Sequence, residues 1–256
     1  MASKLSKLID RHLEHYKRSE KTSFDKARRF YRGDFFTTSD SDLGGTQLDS
    51  HLCSKNLIYA IADTAVSALL GPNPSVAAVA RTPQSQESAT SVTGLLEYIY
   101  GTNKFRRKAA TALIDAVLCK RGIFKTGWDA ERDMPIVRAV NPSSVFFDLT
   151  VRDQDDIRYW IEATVISFEE FKNRVRTGLY QADLVADVQP DRYPKWLQDQ
   201  NQSSDTQQLR DAFQWVTIYE FYDRETGKIQ HYVKQADAVV FEDKIDYIPY
   251  SMFSLN

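Results

Sequence analysis

Lys55–Pro74, KNLIYAIADTAVSALLGPNP, and Gly122–Asp148, GIFKTGWDAERDMPIVRAVNPSSVFFD, decide the fold class. In the first stretch Leu57, Ile58, Ile61, Ala62, Ala65, Val66, Leu69 and Leu70 recur at helical spacing. They fill well over a third of the helix circumference, more than a surface helix needs, which predicts a helix buried on most sides. Gly71 ends it, and Pro72 and Pro74 forbid its continuation, so Ser75 to Arg81 can run extended. In the second stretch the period changes. Ile123–Asp129 and Pro135–Phe147 are rich in β-branched and aromatic residues bounded by turn signals, and read as strands. Together the two stretches predict an α+β chain with a helical N-terminal half followed by a mixed or antiparallel sheet with short helices.

Between them, Pro83 opens a helix where a missing N–H costs nothing, and Val92, Leu95, Leu96 and Ile99 give it one apolar face. Gly101-Thr102-Asn103 breaks the pattern. A further helix follows from Lys104 to Lys120, with Phe105, Ala109, Ala112, Leu113, Ala116 and Val117 inward, until Gly122 stops it; the two helices are expected to form an α-hairpin. Upstream, Leu5, Leu8, Ile9, His12, Tyr16, Phe24, Ala27 and Tyr31 mark one long or broken amphipathic helix over Ser3–Arg32, and Asp34–Ser50 is an aperiodic loop.

Downstream, Asp156–Val165 reads as a strand. Ser167 and Glu170 have the spacing of a capping box for a helix to Arg176. Trp215–Tyr222 and Ile229–Val233 flank a turn signal and form a hairpin, and Ala238–Glu242 adds a strand. The expected organisation is a basic helix and loop over 1–50, then one α+β domain over 51–256. That domain is helical to 121 and mainly β beyond, with an irregular excursion at 177–214. The apolar ending YIPYSMFSLN suggests a boundary imposed on a longer polypeptide.

With 256 residues, 42% of them hydrophobic and 12% aromatic, the chain can bury a sizeable core. The 33 Lys+Arg are balanced by 35 Asp+Glu, so the whole-molecule basic footprint of a nucleic-acid-gripping protein is absent and any DNA contact is local. No apolar run approaches the roughly 20 residues that span a bilayer, so no membrane partner is expected. Cys53 and Cys119 have no metal-like spacing and read as small buried residues of a reduced compartment.

Motifs that would carry chemistry do not assemble. His12 with His15, and His51 with Cys53, lack third and fourth ligands at zinc spacing. Asp148, Asp153, Asp155 and Asp156 lack the alternate ligands, central Gly and distal Glu of a calcium loop, and read as a solvated turn. No G-x-x-x-x-G-K-[ST] is present, so the chain is not itself a nucleotide-driven motor. No G-x-S-x-G marks a nucleophile either. No catalytic residue, metal or cofactor is expected.

Two basic groups remain. Between Lys4 and Arg32 stand ten Lys/Arg against four acids, Arg28 and Arg29 among them. A solvated helix face, an acidic neighbouring subunit or nucleic acid would each account for them. Lys104, Arg106, Arg107 and Lys108 sit at the N-terminal end of their helix, where they oppose the dipole and call for another partner. A carboxylate across a subunit boundary, solvent, or nucleic acid would serve. Arg28, Arg29, Lys104, Arg106, Arg107 and Lys108 are therefore candidates for a subunit interface.

A series of features in order resembles the opening region of tailed-phage portal proteins. These are Arg29-Phe30-Tyr31-Arg32-Gly33, Lys55-Asn56 opening a helix with Asp63, Leu70-Gly71-Pro72-Asn73-Pro74, and Lys108–Gly122 with Asp115. Trp128-Asp129, Pro135-Ile136-Val137, Asn141-Pro142, Phe147-Asp148 and Tyr219-Glu220-Phe221-Tyr222-Asp223 complete it.

The resemblance implies a non-catalytic subunit of a homo-oligomeric ring, usually of twelve, at one capsid vertex of the virion, assembled in host cytoplasm with major capsid and scaffolding proteins. Genomic double-stranded DNA would pass non-specifically through its channel in packaging and ejection, driven by a separate terminase, and tail adaptor proteins would dock later. It also implies that this part builds the outward wing. A segment such as Tyr247–Leu255 would lead into the stem, so the chain stops before the parts closest to DNA. The competing expectation is a non-specific nucleic-acid-binding module using the basic first helix.

Overall fold

The computed structural model describes residues 2–34, 55–71, 76–130, 132–151, 153–185, 188–197, 210 and 212–254. The fold is α+β, and every strand pairing is antiparallel. The chain divides into two compact units, each discontinuous in sequence. Unit 1 is Met1–Asp25 with Ser143–Ile248, and unit 2 is Lys26–Pro142 with Pro249–Asn256.

Unit 1 is built on a five-stranded sheet of order β3-β4-β5-β6-β7: β3 Val145–Phe147, β4 Tyr159–Ser167, β5 Trp215–Asp223, β6 Lys228–Val233 and β7 Ala238–Lys244. The expected hairpin closes in register Asp223↔Lys228, with Gly227 in the left-handed region (φ +62°) and the Asp223 carboxylate accepting from Glu225 N–H and Thr226 Oγ1.

Period-two alternation gives this sheet two apolar faces. On one, Ile166, Val216, Ile218, Val233 and Val240 pack with Phe171 of α6 (Phe168–Arg176) and Val185 of α7 (Ala182–Val185). Ser167 caps α6 by accepting from Glu170 N–H at 3.2 Å. The reciprocal half of the expected capping box is replaced, because the Glu170 carboxylate takes Arg174 Nη2 one turn on (2.6 Å).

On the other face lies the first helix, which the structure breaks at Glu20 into α1 (Ala2–Ser19) and α2 (Lys21–Tyr31). Leu5, Ile9, Leu13 and Tyr16 of α1 are buried. Each such apolar side chain contributes about 1.5–3 kcal/mol on burial. Polar contacts fix the rotation of α1: His12 Nε2 lies 2.9 Å from Tyr159 Oη, and Asp10 pairs with Lys234. Burial first, then the charge of His15, holds the His12 imidazole below its ordinary pKa.

Asp148 departs from the solvated-turn expectation. It is 1% exposed, and its carboxylate accepts from Arg158 Nε (2.6 Å), Thr150 N–H (3.0 Å) and Thr150 Oγ1 (2.6 Å). Those donors, Arg158 foremost, hold its pKa down at about 2, against 3.8 for a free Asp. Because the folded value is depressed, the stabilisation is present above about pH 4 and is lost as pH falls through about 2. Arg158 stands half in solvent, so screening reduces the effect to about 1–2 kcal/mol. Asp148→Asn is expected to destabilise by that amount at pH 7 and to remove that part of the acid sensitivity, read by urea denaturation at pH 7 and pH 3.

Unit 2 holds α3 (Leu57–Leu70), α4 (Gln86–Thr102, entered through a 3-10 turn Pro83–Ser85) and α5 (Phe105–Cys119). Its sheet has order β2-β1-β8, from β1 Gly122–Asp129, β2 Met134–Val140 and β8 Tyr250–Phe253. The run expected as one strand, Pro135–Phe147, is divided. Asn141-Pro142 ends β2, and Val145–Phe147 pairs in the sheet of unit 1.

α3 is not buried on most sides. Ala62, Val66 and Leu70 form one inner stripe, of which Val66 and Leu70 pack with Ala109 of α5, while Leu57, Ile58, Ile61 and Leu69 are 63%, 37%, 69% and 51% exposed. α4 likewise buries only Ala89, leaving Val92 and Leu95 exposed, and Val117 of α5 is also exposed. One stripe of each helix faces the core of this unit, and among the described residues nothing covers the rest.

Residues 35–54, 72–75, 186–187 and 198–209 lie outside the described residues. With them go most of the expected loop, His51, Cys53, the Pro72 and Pro74 stop and part of the irregular excursion.

Candidate assembly surface

The scattered sequence features of unit 2 meet in space. Gly33 ends α2 in the left-handed region (φ +85°), and Asn56 binds to that end: its Nδ2 donates to Tyr31 O (2.8 Å), while its Oδ1 caps α3 by accepting from Tyr59 N–H (2.9 Å). Arg28 Nη2 donates to Asn141 Oδ1 (2.8 Å) and lies 3.8 Å from Asp115 of α5. Burial pushes the Asp115 carboxyl up to about 6 against the opposing pull of Arg28, and pushes the Cys119 thiol up to about 11. Cys119 is therefore an inert buried thiol. Arg28 is committed to these internal partners. Arg29 is half-buried, with its guanidinium 5.2 Å from the centre of the Phe30 ring.

Asn103, which the sequence shows only as part of a break, pins the turn between α4 and α5. It is 6% exposed; its Nδ2 donates to Pro135 O (2.9 Å), and its Oδ1 accepts from Val137 N–H (3.0 Å) and Lys108 Nζ (3.1 Å). Asn103→Leu leaves the Val137 N–H and the Pro135 carbonyl unsatisfied, and is expected to lower unfolding stability by about 2–4 kcal/mol at the 1–3 kcal/mol typical of each orphaned group. Thermal denaturation followed by circular dichroism would measure it.

After Asn103 the chain turns through Lys104 in the left-handed region (φ 49°) and starts α5. Lys104, Arg106 and Arg107 are exposed and make no ion pair among the described residues. Lys108 is half-buried, and its ammonium is held below the usual lysine value by burial first, then by the positive charges of Arg138 and Arg107. Lys104, Arg106 and Arg107 rim a cavity of about 750 Å³ within unit 2, floored by Leu70, Tyr100, Phe105 and Ala110 and bearing one acid, Glu97. The Tyr100 and Phe105 rings meet at 4.4 Å between centroids.

Of the six candidate interface residues, the structure thus brings Lys104, Arg106 and Arg107 together on one rim, turns Lys108 to Asn103, and turns Arg28 and Arg29 to internal partners. The exposed apolar residues of α3 and α4 were missed as surface. For α3 the signal was present in the sequence as an apolar excess, read there as burial on most sides, and for α4 as a single apolar face.

Among the described residues no three His, Cys, Asp or Glu side chains gather as metal ligands, and no helix is long and apolar enough to cross a membrane. The fold and this surface describe an α+β chain whose described residues leave apolar and cationic side chains exposed outside its own core. The family model of the phage P22-like portal protein matches residues 7–249, and the chain belongs to that family. No curated protein sequence matches it significantly. Membership makes this a structural phage protein of the portal vertex, acting in an oligomeric assembly with capsid and other phage proteins.

Proposed function

We propose that the chain is the wing-forming part of a portal subunit that closes into a ring, twelve copies in the form usual for the family. The ring is the conduit for genomic double-stranded DNA in packaging and ejection, and the platform on which terminase and then tail adaptor proteins dock. It is assembled in the host cytoplasm against capsid and scaffolding proteins, with no catalytic role of its own. The observation that carries this reading is that, among the described residues, α3 leaves an apolar stripe exposed and Lys104, Arg106 and Arg107 make no ion pair, because a closed ring requires two different patches on every subunit. Lys104, Arg106, Arg107 and Lys108 belong to one of them. A formal net charge of −2 also suits a conduit, since strong phosphate contacts would hold DNA in place.

Sedimentation velocity and negative-stain microscopy test the proposal. Rings with a central hole are expected, and a persistent monomer at concentrations of tens of micromolar would overturn it. The exposed Lys4, Lys7, Arg11, Lys17 and Arg18 of α1 favour a second reading, a nucleic-acid-binding module. Salt-dependent binding of duplex DNA at physiological ionic strength, without ring formation, would establish that reading instead.

A further inference from the structure

We infer that the cation-rimmed cavity of unit 2 receives the acidic turn Leu149–Asp156 of a neighbouring copy of this chain; the inference rests on the ring reading above. The cavity has the wrong surroundings for an internal role. Three cations on its rim, Lys104, Arg106 and Arg107, have no ion-pair partner among the described residues, and its floor of Leu70, Tyr100, Phe105 and Ala110 is apolar. A volume of about 750 Å³ takes several side chains at once. Its occupant must therefore combine carboxylates with an exposed apolar side chain.

Unit 1 presents such a segment. Leu149 is 48% exposed, and Asp153, Asp155 and Asp156 are exposed and make no ion pair among the described residues. The turn is held ready at its base. Asp148 and Arg158 clamp its two ends at 2.6 Å, Arg158 Nη2 reaches Thr150 Oγ1 at 3.2 Å, and Ile157 is buried. Its tip is shaped by Asp153, whose carboxylate accepts from Asp155 N–H at 3.0 Å. A segment fixed in this way loses little conformational entropy on docking.

The charges match in number as well as sign. Leu149–Asp156 carries three aspartates against one arginine, and the cavity carries Lys104, Arg106 and Arg107 against Glu97. Because the two patches differ and lie on one chain, each copy can give its turn to one neighbour and receive a turn from the other, the heterologous contact that closes a ring. Electrostatic complementarity of this kind sets register and rejects wrong pairings more than it adds affinity.

Reversing either set of charges tests the contact. Lys104→Glu/Arg106→Glu/Arg107→Glu and Asp155→Lys/Asp156→Lys alter only exposed side chains and leave the Asp153 cap in place, and circular dichroism checks that each folds. Each variant alone is expected to need about 100-fold or more protein for half-assembly in sedimentation velocity, because like charges then face each other. An equimolar mixture restores assembly, since every turn in it finds an opposite cavity on the other variant. The five-fold variant in one chain restores it too.

Wild-type rings with either variant assembling normally, or a mixture that stays monomeric, overturn the contact and leave the ring reading standing. A wild-type chain that never assembles overturns both. If the Lys104/Arg106/Arg107 variant loses duplex DNA binding while assembling normally, the rim serves nucleic acid and the turn is not its occupant.

Discussion

Gly122→Ala is expected to destabilise unit 2 by about 3 kcal/mol or more, a large loss for one added methyl group. Gly122 is the first residue of β1, reached from the end of α5 at Cys119 through a left-handed Lys120 (φ 63°), and it pairs with Phe253 of β8. A Cβ there would stand 2.4 Å from the Ala112 carbonyl oxygen and 2.5 Å and 2.9 Å from atoms of the Phe253 ring. The ring could turn aside. The carbonyl belongs to the backbone of α5, whose neighbours Ala109, Ala112 and Ala116 are buried, so it moves only if the helix moves. Equilibrium urea denaturation of wild type, Gly122→Ala, Phe253→Ala and the double variant separates the two clashes. If the carbonyl dominates, the double variant stays as unstable as the sum of the singles. Recovery of most of the stability on adding Phe253→Ala, or a loss under about 1 kcal/mol for Gly122→Ala alone, would show that the approach of α5 to β1 is not rigid.

Gly122 was legible in the sequence as a helix stop, and its second role as the contact point of α5 and β1 was not. That difference holds across the molecule. Features decided by neighbours in sequence were readable: the change of period at Gly122, the β5–β6 hairpin with its Asp223 and Gly227, the Ser167 cap, the Pro83 entry into α4. Features decided by distant partners were not. Asn103 takes its meaning from Pro135 and Val137, 32 and 34 residues on, and Arg28 from Asn141, 113 residues on. Asp148 looked like one more carboxylate of an acidic turn because the donor that buries it, Arg158, lies in the next strand's approach. Asn141-Pro142 marks a break locally, but that the strand after it joins the sheet of the other unit has no local signature. The family features themselves proved to be structural joints. Asn56 ties the ends of α2 and α3, and Asp115 and Asn141 share Arg28.

The apolar excess of α3 is the case in which the sequence predicted burial on most sides and the structure buries one stripe; the ring reading assigns the other to a subunit contact. At about 100° per residue, Leu57, Ile61 and Ala68 fall on the far side of the helix from Ala62, Val66 and Leu70. Leu57→Gln/Ile61→Gln keeps helix propensity nearly constant and removes two side chains that are 63% and 69% exposed in the isolated chain. Folding stability is therefore expected to change by no more than about 0.5 kcal/mol. Assembly should respond differently. Burial of two such residues at a subunit contact is worth about 1.5–3 kcal/mol each, so their loss weakens every contact around the ring by about 100-fold or more. Val66→Gln, on the inner stripe, is the control, and should cost about 2–4 kcal/mol of folding stability before any assembly is measured. Sedimentation velocity and urea denaturation on the same three proteins give both quantities. A double variant that assembles like wild type would remove the outer stripe from the interface. One that loses 2 kcal/mol or more of folding stability would mean the stripe is packed within its own chain. Unchanged folding with lost assembly is the outcome expected of a helix apolar on two faces of which, among the described residues, the core takes only one.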